Sequence, residues 1–232
     1  MDPTTLFNQA KQHHKQGNLA QAEALYKQLL EAHPDHPQVL HGLGMVAYHR
    51  EVYDRAIALI EQALAQHAGF PSFHNNIGNA YKALDNLEQA EVCYRHAIEL
   101  NPKYAAAYFN LGALLHLKDK IPEAMRHCRR ALQLKPEFAD ARCELGRIHL
   151  HSGTLDQARS CFQEAMVRSP ADAAGYLGMS AYHLRLVEYD RAVESYRQAL
   201  RRDPVNTEAW IDLGSLFQLM DRIEEAKPFR GL

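Results

Sequence analysis

Small and apolar residues recur along this chain at a fixed interval. Alanine stands at Ala22, Ala56, Ala90, Ala124, Ala158, Ala192 and Ala226, always 34 residues from the last. Glycine keeps the same step at Gly44, Gly78, Gly112, Gly146 and Gly214, with Ala10 and Ser180 completing the row. Proline follows at Pro34, Pro102, Pro136, Pro170 and Pro204, and Ala68 breaks that row. Three rows in one phase define a repeat, whose positions 1 to 34 count from Pro3, Pro37, Pro71, Ala105, Ala139, Ala173 and Thr207. Inside a repeat the apolar spacing is helical: Val92, Ile98 and Leu100 accompany Ala90, Tyr94 and Ala97. In the third repeat the pattern predicts one helix from Ser72 to Ala83, a turn at Asp85-Asn86 and a second helix from Leu87 to Leu100. Asn101-Pro102 ends it, because proline disfavours helical geometry in the residue before it. Small residues fall where two helices must cross closely, so added bulk at Gly112 or Ala124 is expected to cost about 1–3 kcal/mol.

The run Tyr108-x-x-Leu111-Gly112-x-x-Leu115, followed by Ala124, Ala131-Leu132 and Pro136, resembles the tetratricopeptide signature. Trp210-x-x-Leu213-Gly214-x-x-Phe217 does the same. The resemblance implies an all-α solenoid of antiparallel helix pairs wound into a right-handed superhelix, with the first helices lining a concave groove. It implies one domain over 3–232, with repeats 3–36, 37–70, 71–104, 105–138, 139–172, 173–206 and a partial 207–232. Such repeats cannot bury their apolar faces alone and must stack. The last repeat meets Pro228 soon after Lys227, which leaves Leu216, Phe217, Leu219 and Ile223 poorly covered. The expectation is either further chain beyond Leu232 or a homo-oligomer paired through this end.

Family geometry turns repeat positions 2, 5, 6, 9, 12 and 13 toward the groove. Position 6 reads Asn8, Gly42, Asn76, Asn110, Glu144, Gly178 and Asp212, and Asn75 and Asn79 flank Asn76. A carboxamide both donates and accepts, so it can grip the main chain of a peptide of any sequence; on an exposed face it can equally be just solvated. The candidate peptide-binding residues are Asn76, Asn79 and Asn110, flanked by Tyr48, Lys82, Phe109 and Arg147. The asparagine row is similar to the ladder in protein O-GlcNAc transferases, and Phe73-His74-Asn75-Asn76-Ile77-Gly78-Asn79-Ala80 resembles repeats found ahead of bacterial enzymes of that type. This implies an alternative role as the substrate-recruiting region of a larger transferase, although Gly42, Glu144, Gly178 and Asp212 interrupt the ladder. A carboxylate clamp is excluded: Asn79 and Asn110 match it, but Asn75, Asp140 and Glu144 stand where its cations belong. The groove divides by charge, with Lys11, Lys15 and Lys82 early and Asp140, Glu144, Glu208 and Asp212 with Arg147 and Arg185 later. Such a division would orient a dipolar ligand.

Composition narrows the class of partner. A formal charge of −2 and pI near 6.7, without like-charge blocks, argue against nucleic acid and anionic membrane. No apolar run approaches the ~18 residues of a membrane span, and Met1 to Phe7 shows no signal-peptide pattern. Cys93, Cys128, Cys143 and Cys161 form no Cys-x-x-Cys pair and read as thiols of a reducing compartment, so a cytoplasmic location is expected. Cys143, expected in the groove, lacks a base and an orienting group beside it. His149 and His151 diverge on their helix. His116, His151 and His183 lie near the same end of successive first helices, with no carboxylate evident beside them, and read as surface or partly buried histidines; His13-His14 reads the same way. No phosphate-binding, nucleophile-elbow or zincin motif appears. The expectation is a non-enzymatic protein without cofactor or metal that binds a protein or peptide.

Overall fold

The computed structural model describes residues 2–221, which form thirteen α-helices and no strand. First helices are α1 (Pro3–Lys15), α3 (Pro37–His49), α5 (Pro71–Ala83), α7 (Ala105–Leu117), α9 (Ala139–His151), α11 (Ala174–Arg185) and α13 (Thr207–Leu219). Second helices are α2 (Leu19–Ala32), α4 (Tyr53–Gln66), α6 (Leu87–Leu100), α8 (Ile121–Leu134), α10 (Leu155–Arg168) and α12 (Tyr189–Arg202). The helices predicted in the third repeat are α5 and α6. The chain divides into two compact units, residues 1–114 and 115–232. Ile223, Ala226 and Pro228 lie outside the described residues.

Local chemistry sets the helix ends. Pro3, Pro37 and Pro71 open α1, α3 and α5, where a missing N–H is harmless and the fixed φ suits a first turn. Asp2, Asn86 and Asn206 cap α1, α6 and α13 by accepting the amides of Thr5, Gln89 and Ala209. Position 15 is left-handed in every repeat: Gly17 (φ 78°), Glu51 (61°), Asp85 (59°), Asp119 (57°), Gly153 (72°), Val187 (61°) and Asp221 (57°). The next amide then bonds the carbonyl five residues back, as in Asn18 to His13, Asn86 to Tyr81 and Thr154 to His149, each at 2.9 Å. This closure satisfies carbonyls at the helix end and reverses the chain within three residues.

Packing follows the repeat. In the first unit α2 packs on α1 and α3, α4 on α3 and α5, and α6 on α5. In the second, α9 packs on α8 and α10, α11 on α10 and α12, and α13 on α12. Ala22, Ala56, Ala90, Ala124, Ala158 and Ala192 are fully buried, as their common step requires. Position 24 carries the largest core side chains in Tyr26, Ile60, Tyr94, Phe162 and Tyr196, with Cys128 in the fourth repeat, all buried. These meet the glycine row: a Cβ on Gly44, Gly78 or Gly146 would lie 2.8, 2.7 and 2.5 Å from Ile60, Tyr94 and Phe162. The same side chains also press on position 6 of the next repeat, where a Cβ on Gly42 would lie 2.6 Å from Tyr26. Gly178 stands closer still to Phe162. At the far end, Leu216 and Phe217 are not an open face; they are buried with Val193, Tyr196 and Leu213, and Leu219 stays exposed.

Two outcomes test this account. Phe162 lies between Gly146 and Gly178 and cannot retreat from either, so Gly178→Ala is expected to lower unfolding free energy by about 1–3 kcal/mol in a urea titration. Val187 is a β-branched residue in left-handed backbone, so Val187→Asn is expected to raise stability by about 1 kcal/mol and the thermal midpoint with it.

Candidate functional site

The groove-facing positions of the first three repeats form an open cleft of about 590 Å³ in the first unit. Phe7, Lys11, His14 and Lys15 of α1, Gln38, His41, Gly42, Met45 and His49 of α3, and Ser72 and Phe73 of α5 line it with Tyr26 of α2. All but Tyr26 and Phe73 stand at positions the family geometry turns to the groove. The floor is aromatic: Phe7 meets Tyr26 edge-on at 6.0 Å, and His41 stacks on Phe73 at 4.1 Å with planes 11° apart. Gly42 makes room for this floor, because the Tyr26 ring occupies the space where a side chain would go. None of the twelve lining residues is acidic, and Lys11 and Lys15 are exposed at the edge.

The asparagines form a directed chain that ends in this cleft. Asn110 Nδ2 donates to Asn75 Oδ1 at 2.8 Å, Asn75 Nδ2 to Asn76 Oδ1 at 3.2 Å, and Asn76 Nδ2 contacts His41 Nε2 at 2.9 Å. Burial, with His14 nearby, pushes the His41 pKa down to about 4, so the imidazole is neutral near pH 7. A neutral ring accepting at Nε2 carries its proton on Nδ1. Asn79 stands apart from the chain and accepts from the Tyr94 hydroxyl at 2.8 Å, which leaves both of its N–H donors. Of the other predicted residues in this unit, Tyr48 and Phe109 are half-buried and Lys82 is exposed. Asn75 and His41 were missed as site residues. The signal was available in part, since His41 occupies groove position 5.

Tetratricopeptide repeat profiles match residues 7–71, 123–174 and 177–226, and a second profile of the same description matches 71–104 and 105–138. The chain belongs to the tetratricopeptide repeat family. Among solved structures, a tetratricopeptide repeat protein from Parabacteroides merdae is similar over 97% of this chain and 88% of its own, at 18% identity and TM-score 0.77. PilW, a type IV pilus biogenesis factor, is similar over 89% and 96%, at 21% identity and TM-score 0.76. YrrB, a tetratricopeptide repeat protein with an unusual peptide-binding site, is similar over 79% and 95%, at 18% identity and TM-score 0.55. No curated protein matches the sequence. These likenesses establish the repeat fold and do not resolve the narrower resemblance to O-GlcNAc transferase repeats.

In the second unit several tetratricopeptide groove positions are already occupied from within. Glu144 is buried, accepts from His116 Nδ1 at 2.6 Å and pairs with Arg147 at 2.7 Å. Burial works to raise its pKa, but Arg147 and His116 outweigh it and hold the carboxyl below its ordinary range. Arg147, expected to face a ligand, is therefore held by Glu144. His116 Nε2 contacts His151 Nδ1 at 3.2 Å, and Asp119 lies 3.6 Å from His151. The expectation that no carboxylate stands beside these histidines is thus corrected. His183 is engaged elsewhere, with Glu188 at 2.8 Å. Asp212 accepts from Tyr196 at 3.2 Å. His14, expected to be a surface or partly buried residue, is half-buried in the first-unit cleft and contacts His49 at 2.9 Å.

Cys143 is not presented to a ligand: it is 1% exposed, and burial drives its thiol to about 12. Among the described residues no group of histidines, cysteines and carboxylates has the arrangement to hold a metal, and no helix is long and apolar enough to cross a membrane. The asparagine chain carries a structural cost that the sequence did not reveal. Asn110→Ala would leave the Oδ1 of Asn75, a 3% exposed residue, without its donor. The variant is expected to lose about 1–3 kcal/mol in a urea titration.

Proposed function

We propose that this chain is a non-catalytic tetratricopeptide adaptor that holds a segment of another polypeptide along the first helices of its repeats. The observation that carries this reading is the chain of carboxamides from Asn110 through Asn75 and Asn76 to His41, which opens into a lined cleft. Donors and acceptors in such a chain polarise one another, so its groups are oriented before a ligand arrives. Asn76, Asn79 and Asn110 would meet the ligand's main chain, with Tyr48, Lys82 and Phe109 beside them in the first unit. Arg147, positioned by Glu144, would serve the second unit. The family reading and YrrB's peptide-binding site support this assignment.

Selection from a random peptide library supplies a ligand, and two variants then separate binding from folding. Asn79→Ala and Tyr94→Phe both lose the Tyr94–Asn79 hydrogen bond, but only the first loses the amide. Asn79→Ala is expected to weaken affinity about fivefold, or about 1 kcal/mol, and Tyr94→Phe to leave it near that of the parent. Equal losses in isothermal titration would reject Asn79 as a contact residue.

A further inference from the structure

The two units carry the same histidine device in two states. His14 and His116 both occupy position 12 of their repeats, and His49 and His151 both occupy position 13 of the next. In each pair the same atoms meet: His14 Nε2 with His49 Nδ1 at 2.9 Å, and His116 Nε2 with His151 Nδ1 at 3.2 Å. The second pair is completed by two carboxylates, Glu144 on His116 Nδ1 and Asp119 beside His151 Nε2. Glu144 stands at position 6 of its repeat and Asp119 at position 15 of the one before. The corresponding residues around the first pair are Gly42 and Gly17. Both carboxylates are replaced by glycine, and Gly42 lines the open cleft. His14 Nδ1 has no partner among the described residues.

We infer that the first-unit cleft receives an acidic peptide segment, one carboxylate of which pairs with His14 Nδ1 as Glu144 pairs with His116 Nδ1, while a neighbouring apolar side chain lies on the half-buried Phe7, His41 and Met45. The inference rests on the groove-binding reading and adds the class of ligand. Charge complementarity favours this occupant: Lys11 and Lys15 stand at the edge and no lining residue is acidic. The titratable groups around the pair are Lys11 and Lys15 on α1, Tyr26 on α2, and His41 and Tyr48 on α3; α5 contributes Ser72 and Phe73. Burial, then the neighbouring His49, hold the His14 pKa below its ordinary value while the cleft is empty. A carboxylate on Nδ1 favours the imidazolium and raises that value, so binding takes up a proton and tightens as the pH falls through the histidine range.

The probes are three short fluorescein-labelled peptides with a central phenylalanine flanked by glutamate, glutamine or lysine, followed by fluorescence anisotropy. The glutamate peptide is expected to bind at least about tenfold more tightly than the lysine peptide, and more tightly at about pH 6 than at about pH 8. Lys11→Glu with Lys15→Glu is expected to abolish the preference, and His14→Gln the pH dependence. Gly17→Asp restores one carboxylate at a turn position that Asp85 and Asp119 already occupy with the same backbone, so it folds. It is expected to weaken the glutamate peptide about threefold or more. Equal affinity for the glutamate and lysine peptides, or a His14 titration unmoved by saturating glutamate peptide, would overturn the inference. If library-selected peptides bind while the glutamate peptide does not, the ligand class alone is rejected. If no library peptide binds, the groove reading fails with it.

Discussion

The side chain at position 24 of each repeat is the contact on which the rest of the architecture depends. It comes from the second helix and must fit against position 8 of its own first helix, and in several repeats against position 6 of the next. Phe162 shows both demands at once, lying between Gly146 and Gly178. An interior this dense has no slack for even one methyl group, so position 8 is small wherever the ring at position 24 is large, as in Ala10, Gly78, Gly146 and Ser180. This constraint explains why glycine keeps the step of the repeat, and it explains why alanine or serine can stand in where the opposing geometry differs.

The same constraint reaches the groove. Position 6 looked like a row of ligand-facing residues, yet its occupants answer first to the core behind them. Gly42 and Gly178 yield to Tyr26 and Phe162. Asp212 accepts the Tyr196 hydroxyl, and a buried Glu144 stands in the repeat after the small Cys128. Asn76 and Asn110 join a hydrogen-bonded chain. The gaps in the asparagine ladder are consequently packing decisions, and they determine where a cleft opens.

The fold was legible because its cause is periodic: the step of Ala22 to Ala192 and the Asn101-Pro102 stop both act through nearest neighbours along the chain. Tyr26 with Gly42 and Phe162 with Gly178 are size-matched pairs that could also have been read from the repeat phase. The hydrogen-bond partners were less legible. Whether Asn76 turns to solvent, to a ligand or to His41 depends on rotamers, and a single register leaves all three open. Cys143 shows the opposite error: position 5 was taken as groove-facing, but in that repeat it is 1% exposed. Arg147 was read as a residue flanking the ligand, and the buried carboxylate that holds it, three residues away, was counted among the groove charges.

What separates the two units is therefore a difference in who supplies the negative charge. A pair of imidazoles sharing one hydrogen bond is poorly served by a buried site unless a carboxylate stands beside it, because burial disfavours the protonated ring. Around His116 and His151 the chain supplies Glu144 and Asp119, and the device is closed. Around His14 and His49 two glycines stand in the same places, burial holds the His14 pKa below its ordinary value, and the pair lines an open cleft. Repetition makes this comparison possible within one molecule: equivalent positions carry Glu144 and Asp119 in one unit and Gly42 and Gly17 in the other, while position 24 changes from Cys128 to Tyr26. A solenoid can thus turn a structural ion cluster in one repeat into a recognition site in another without altering its fold.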